Sequence, residues 1–289
     1  MRRRSKKQDL PKIIALSAVL VACTGAMGYA AFSTFGQPTP DQYGCFEDVK
    51  QRNTFVLFDA SEPRLNIEQH RSVRDYLDEL YANLEFNERL SFITTEGDVI
   101  SSTPKARFHV CGTAKNPDDL DEIGAQSASA GFLRKQKQRL YNSVYAPQVD
   151  EMLSPTPDES RKQVSQSPML EMVKNVSHMK DFVPGSRLIV LSDLLQNSET
   201  AQFCIKQNQM PPFRVFRKQE SYQQRLMPRS LESIEVTVLL LQRYGYGHPS
   251  YLKYCKNEEE LTTFWRDYFT GNGAIKPTFI RIRAGHTAG

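Results

Sequence analysis

The sequence predicts an α/β fold: a mostly parallel sheet flanked by helices, preceded by one transmembrane helix. Short apolar runs such as Thr54–Phe58 (TFVLF) and Arg187–Ser192 (RLIVLS) alternate with longer segments whose apolar residues recur every three or four positions. Strands that read as continuous apolar runs are buried on both faces, the pattern produced by helices covering a parallel sheet on both sides. Near the N-terminus, Ile13 to Phe32 form an uncharged apolar run of 20 residues.

Charge gives that run a direction. Residues 1–12 hold Arg2, Arg3, Arg4, Lys6, Lys7 and Lys12 against Asp9, a net +5. The 289-residue chain carries +4, so residues 13–289 together carry −1. A near-neutral body lacks the basic footprint of a nucleic-acid binder, and no nucleic-acid partner is expected. As a helix rising about 1.5 Å per residue, the apolar run spans roughly 30 Å, the hydrocarbon thickness of a bilayer. The positive-inside bias then gives a cytoplasmic tail over 1–12, a transmembrane helix over 13–35, a Gly- and Pro-containing linker over 36–44, and one extracytoplasmic domain over 45–289. In a Gram-negative cell that domain is periplasmic.

Two other routes export the same domain. Leu20-Val21-Ala22-Cys23 matches the lipobox of bacterial lipoproteins, with Cys23 acylated after cleavage. A cleaved secretory signal shares the charged start and apolar core. Apolar sequence running on through Ala26, Met27, Tyr29 and Phe32 favours the uncleaved anchor. Beyond the span stand Cys45, Cys111, Cys204 and Cys255. Four cysteines in an oxidising compartment allow two disulfides in three pairings, or else they are buried thiols. None lies at C-x-x-C spacing, which argues against a zinc site.

The domain begins near Cys45. Thr54–Phe58 reads as a buried strand ending at Asp59. Over 67–86, Val73, Leu77, Leu80 and Leu84 fall at helical spacing. Arg89–Thr95 and Arg107–Cys111 read as the second and third strands. The polar stretch Ala114–Gly131 reads as a loop, and Leu133, Leu140, Tyr141, Val144 and Tyr145 as a helix face. Pro147–Ser167 reads as a second loop. Ser167-Pro168 puts a capping hydroxyl before a proline at the first helical position, so a helix starts there and runs to Met179. Arg187–Ser192 is a strand ending at Asp193, and Ile234–Leu241 is another. Glu258, Glu259 and Glu260 open a helix that presses Leu261, Phe264, Trp265, Tyr268 and Phe269 on the sheet. Lys276–Arg283 closes the chain as an edge strand.

In open α/β sheets ligands bind beyond the carboxyl ends of the strands, and Asp59 and Asp193 both follow strands. Singly, each is an ordinary strand-end cap. With Ser61 and Ser167 they make two carboxylates and two hydroxyls at one edge of the sheet. Such hard oxygen ligands suit Mg²⁺, with Mn²⁺ or Ca²⁺ as the other ions, rather than zinc. The histidines share no spacing, His109 reads as a packed strand residue, and no nucleophile–base pair stands out. The chain therefore reads as a binding protein and not an enzyme.

TFVLFDASEP resembles the first strand and metal loop of von Willebrand factor type A (VWA) domains, whose motif is D-x-S-x-S. Asp59 and Ser61 match the Asp and the first Ser, and Pro63 stands where the second Ser belongs. Ser167 in QSPML takes the place of the family's later Thr, and Asp193 in RLIVLSDLL that of its final Asp. VTVLLL, ELTTFWRDYFTGNGA and a closing strand are similar to the end of bacterial VWA-like proteins, so the likeness covers about 52–283. The resemblance implies a Rossmann-like sheet with a metal-ion-dependent adhesion site on top. It implies Mg²⁺ held by Asp59, Ser61, Ser167 and Asp193, and a protein partner engaged through an acidic side chain. Pro63 removes one hydroxyl and one N–H from the loop, so the site is degenerate. One alternative is a metal-free scaffold in a membrane-bound assembly. Another is a phosphatase, because VLFDAS is also similar to the first motif of haloacid-dehalogenase-like enzymes, with Asp59 as nucleophile. There Ser61 occupies the position of the second Asp that acts as acid and base.

Overall fold

The computed structural model describes residues 15–25, 28, 36–60, 65–95, 104–154, 167–203, 210–242 and 258–283. Residues 15–25, part of the apolar run, form helix α1, which exposes Leu16, Val19, Leu20 and Val21. Among the described residues no helix is long and apolar enough to cross a membrane.

Six strands form one sheet: β1 (Asn53–Phe58), β2 (Arg89–Thr94), β3 (Phe108–Cys111), β4 (Arg187–Ser192), β5 (Glu235–Leu241) and β6 (Ile275–Ile282). Their order is β3-β2-β1-β4-β5-β6, and every neighbouring pair is parallel except β2 with β3. This is the Rossmann-like arrangement expected of an α/β chain. The strand order reverses between β1 and β4, and a crevice opens at such a reversal beyond the strand ends.

The strands divide their side chains between two faces. Phe55 and Leu57 of β1, Leu188 and Val190 of β4, and Val238 and Leu240 of β5 pack with α6 (Met169–Ser177) and α8 (Glu258–Gly271). Val56, Phe58, Ile189, Leu191 and Leu239 point the other way, toward α2 (Ile67–Ala82) and α5 (Ala146–Leu153). A period of two in a doubly covered sheet requires this split.

Several boundaries differ from the sequence expectation. Helix α2 stops at Ala82, and Asn83 caps it, leaving Leu84 packed in the following turn. The stretch read as a loop over Ala114–Gly131 contains α3 (Pro117–Glu122), because Asn116 and Asp119 form a reciprocal capping box. Pro147 does not end a helix. The chain runs from α4 (Ala130–Leu140) through a π-turn over Tyr141–Tyr145 into α5, with Pro147 in the first turn of α5. Ala146 N donates to Tyr141 O, and this widened turn puts the proline where no N–H is required. Tyr145, fully buried, stacks on Tyr81 at 4.3 Å and holds the turn to the core. Phe213–Phe216 (α7) and a π-turn at Tyr222–Leu226 carry no periodic signal and are additions.

Cys45 and Cys111 form a disulfide, while Cys204 and Cys255 lie outside the described residues. The residue after Cys111 must be glycine, since a Cβ at Gly112 would sit 1.9 Å from Glu85 O. The disulfide fastens the linker end of the domain to the amino-terminal edge of the sheet, where Cys111 pairs with Arg89 at the start of β2.

Candidate functional site

Asp59 follows β1 at the strand-order reversal and is completely buried. Its backbone N donates to Leu191 O at 2.9 Å, which continues the ladder one residue beyond the strand. A carboxylate cannot be buried without hydrogen-bond partners. Three described hydroxyls reach it. Ser167 Oγ donates to Oδ2 at 2.6 Å, Ser192 Oγ donates to Oδ2 at 3.0 Å, and Thr95 Oγ1 donates to Oδ1 at 3.2 Å. They come from the segment before α6 and from the ends of β4 and β2.

The remaining lone pairs of these hydroxyls are used unequally. Thr95 Oγ1 accepts from Ala60 N at 2.9 Å, and Ser192 Oγ accepts from Leu194 N at 2.8 Å. Ser167 Oγ accepts no hydrogen bond among the described residues, so both of its lone pairs remain available.

Ser167 does not cap α6. The helix begins at Met169 with Pro168 in the cap position and no capping bond from Ser167. Ser167 is instead paired with Asn197 in a two-bond antiparallel bridge, N to O at 2.8 Å in each direction, which turns its hydroxyl to Asp59. The cap comes from the loop after β4, where Gln196 Oε1 accepts from Leu170 N at 2.9 Å. The same loop is tied to α6 by the buried Glu171, which accepts from Gln196 Nε2 at 2.8 Å and from Ser198 Oγ at 2.5 Å. These bonds set the position of Ser167 over Asp59.

Asp193 is buried beside the same cluster, and its Oδ1 accepts from Leu195 N at 2.9 Å. Leu194 between them has φ 64°, an uncommon left-handed conformation for leucine. It is held from three sides: Ser192 Oγ accepts its N–H, Asp193 closes the next turn, and Trp265 Nε1 donates to Leu194 O at 2.9 Å. Strain kept in place at a strand end next to a buried carboxylate marks a shaped site.

Of the four residues expected at the site, Asp59 and Ser167 are in contact, Asp193 borders them, and Ser61 lies outside the described residues. Thr95 and Ser192 also belong to the cluster, although the sequence pattern marks them only as strand ends; a hydroxyl ending a strand beside the reversal point is the signal that identifies them. Trp265, read as core, is core and also fixes the Leu194 turn.

The donor set is all oxygen, which fits a hard cation such as Mg²⁺. A second grouping, Asp41, Cys45 and His109, brings ligand-type atoms within 4.8 Å of one another at the linker end. There the Cys45 sulfur is spent in the disulfide, and a disulfide sulfur is no thiolate ligand. Burial first, then the Arg89 charge, holds the His109 imidazole below its usual pKa despite Asp41 and Glu47. No family model and no curated protein matches this chain.

Proposed function

We propose that the chain is a membrane-anchored, VWA-like protein-binding module. It engages an acidic side chain of a protein partner at the Asp59 end of its sheet, through a divalent cation, Mg²⁺ first among them. The observation that carries this reading is the 2.6 Å contact between Ser167 Oγ and Asp59 Oδ2, made by segments 108 residues apart at the strand-order reversal. Asp59, Ser61, Ser167 and Asp193 are the residues that would hold the ion, with Thr95 and Ser192 supporting Asp59. A bound ion would supply the positive centre that a partner carboxylate meets.

The tether follows from the sequence. Residues 13–35 carry the uncharged run behind six basic residues, and the described turns of α1 leave Leu16, Val19, Leu20 and Val21 uncovered by protein. A lipid anchor on the exposed Cys23 thiol is the alternative attachment. The Cys45–Cys111 disulfide suits an oxidising, extracytoplasmic compartment. Strand β1 carries the chain roughly 20 Å from the linker end to Asp59, at about 3.3 Å per residue. A domain tethered at 36–44 therefore offers its Asp59 end away from the tether.

One observation favours the metal-free scaffold as the second reading: three hydroxyl donors satisfy the buried Asp59 without an ion. The phosphatase alternative fares worse, because Ser61 stands where such enzymes need a second Asp as acid and base.

Cross-linking of the full chain in its native membranes tests the proposal. Capture of a partner in Mg²⁺, lost both on chelation and in Asp59→Asn, is the expected result. Capture that survives chelation but not the substitution would move the assignment to the scaffold. A capture pattern indifferent to both would remove the Asp59 end from partner binding altogether.

A further inference from the structure

A second concave surface lies at the opposite end of the sheet. Asn272, just after α8, forms part of it; Asn272 O accepts from Leu231 N at 2.8 Å, and Ile275, three residues on, pairs with Glu235 at the start of β5. The pocket therefore sits at the amino ends of the parallel strands, the end at which the linker joins the domain. It is an open concavity of about 650 Å³ lined by Arg214, Arg217, Lys218, Tyr222, Gln223, Met227 and Asn272.

Its chemistry is one-sided. Three of the lining residues are cations and none is acidic. Arg214, Arg217 and Lys218 are exposed, and none of the three forms an ion pair with a described residue. Arg214 lies in the four-residue α7 and Arg217 and Lys218 in the turn that follows it, so three like charges are gathered within five residues. The wall behind them is fixed. Tyr222 Oη donates to Asn272 Oδ1 at 3.0 Å, and Asn272 Nδ2 donates to Tyr268 O at 2.7 Å. The Arg217 guanidinium lies 5.8 Å from the centroid of the buried Phe213 ring, which limits where it can swing. Cations gathered around a firm, uncharged wall are repelled from one another until an anion enters between them.

We propose that this pocket binds a phosphate group. Two planar guanidinium forks and an ammonium match a tetrahedral anion with several acceptor oxygens better than they match a flat carboxylate. The phosphate of an anionic lipid headgroup and that of a soluble phosphate ester offer the same chemistry, and the pocket's position at the tether end admits both. The proposal is independent of the Asp59 site.

The test uses the full chain in neutral maltoside micelles, titrated calorimetrically with inorganic phosphate and with dihexanoyl phosphatidylglycerol. The comparison is the triple variant Arg214→Gln, Arg217→Gln, Lys218→Gln, whose fold is verified by the fluorescence of the single, buried Trp265. Saturable binding that falls at least tenfold in the variant, and weakens as salt is raised, is the expected result. Tighter binding of the lipid assigns the headgroup, and tighter binding of inorganic phosphate assigns a soluble ligand. Equal affinities for the folded variant and the wild type, or no saturable binding of either probe, overturn the proposal.

Discussion

The two ends of the parallel sheet each bury a carboxylate and satisfy it differently. At the amino end, Glu88 has a fully buried side chain that contacts Arg187, accepts from Thr54 Oγ1 at 2.5 Å and accepts from Glu85 N at 3.0 Å. Arg187 Nε also donates to Thr54 Oγ1 at 2.9 Å, closing the triangle. At the carboxyl end, the described side-chain partners of Asp59 are the hydroxyls of Thr95, Ser167 and Ser192. A guanidinium has no lone pair to give a metal, whereas a hydroxyl that donates its proton still has two. The Glu88 end is a structural fastening, reinforced nearby by the Cys45–Cys111 disulfide, and the Asp59 end keeps atoms with coordinating capacity. Disturbing this fastening should therefore change stability and leave cation binding alone, and disturbing the Asp59 cluster should do the reverse.

The largest effect belongs to the fastening. Removing the disulfide with Cys45→Ala and Cys111→Ala opens a loop closed over a sequence separation of 66 residues. It should lower unfolding free energy by about 4 kcal/mol in denaturant titrations. Cation affinity, measured where the variant is still folded, should be unchanged.

Glu88→Gln comes next. It leaves Arg187 with no charged partner among the described residues, and since that side chain is 26% exposed the cost should be near the low end of the buried-pair range, about 3 kcal/mol. This substitution also predicts a pH effect. Burial alone would raise the Glu88 pKa, but hydrogen bonds from Thr54, Glu85 and Arg187 and the charge of Arg187 together hold it below its ordinary 4.5. A carboxyl depressed by folding stabilises the protein above its unfolded pKa, and that stabilisation is lost as pH falls through the lower folded value. The wild type should therefore lose stability below about pH 4.5 more steeply than Glu88→Gln, as read by denaturant midpoints across that range.

Ser167→Ala should have the smallest effect on stability, about 1 kcal/mol for one lost hydrogen bond. Its effect on cation affinity should be the larger one, a loss of tenfold or more by calorimetry. A Ser167→Ala chain that unfolds easily and binds normally would erase the contrast between the two ends.

The amino-acid pattern carries the frame of this fold. The apolar runs at 54–58, 187–192 and 234–241 are strands within a residue or two of their expected bounds, because burial on both faces leaves a continuous hydrophobic signature. The aromatic stripe from Leu261 to Phe269 is equally direct. Features set by contacts distant in sequence do not show. Pro147 reads as a break, yet Tyr145 packed on Tyr81 and a π-turn carry the helix past it. Ser167 reads as a cap, yet pairing with Asn197 redirects its hydroxyl, and Gln196 caps α6 from across the loop. At the site, Asp59 and Ser167 were legible from strand ends and a helix start. Thr95 and Ser192 were not, because their role depends on which strands lie side by side, and strand order is not written in local periodicity.

The most direct test of a cation-holding carboxyl end is calorimetric titration of the full chain, in neutral detergent, with Mg²⁺ and Mn²⁺ beside Asp59→Asn. The substitution keeps the shape of the side chain and removes its charge. Saturable binding by the wild type, absent from a folded Asp59→Asn, is the predicted result. No binding by the wild type, or binding that Asp59→Asn retains in full, would contradict it.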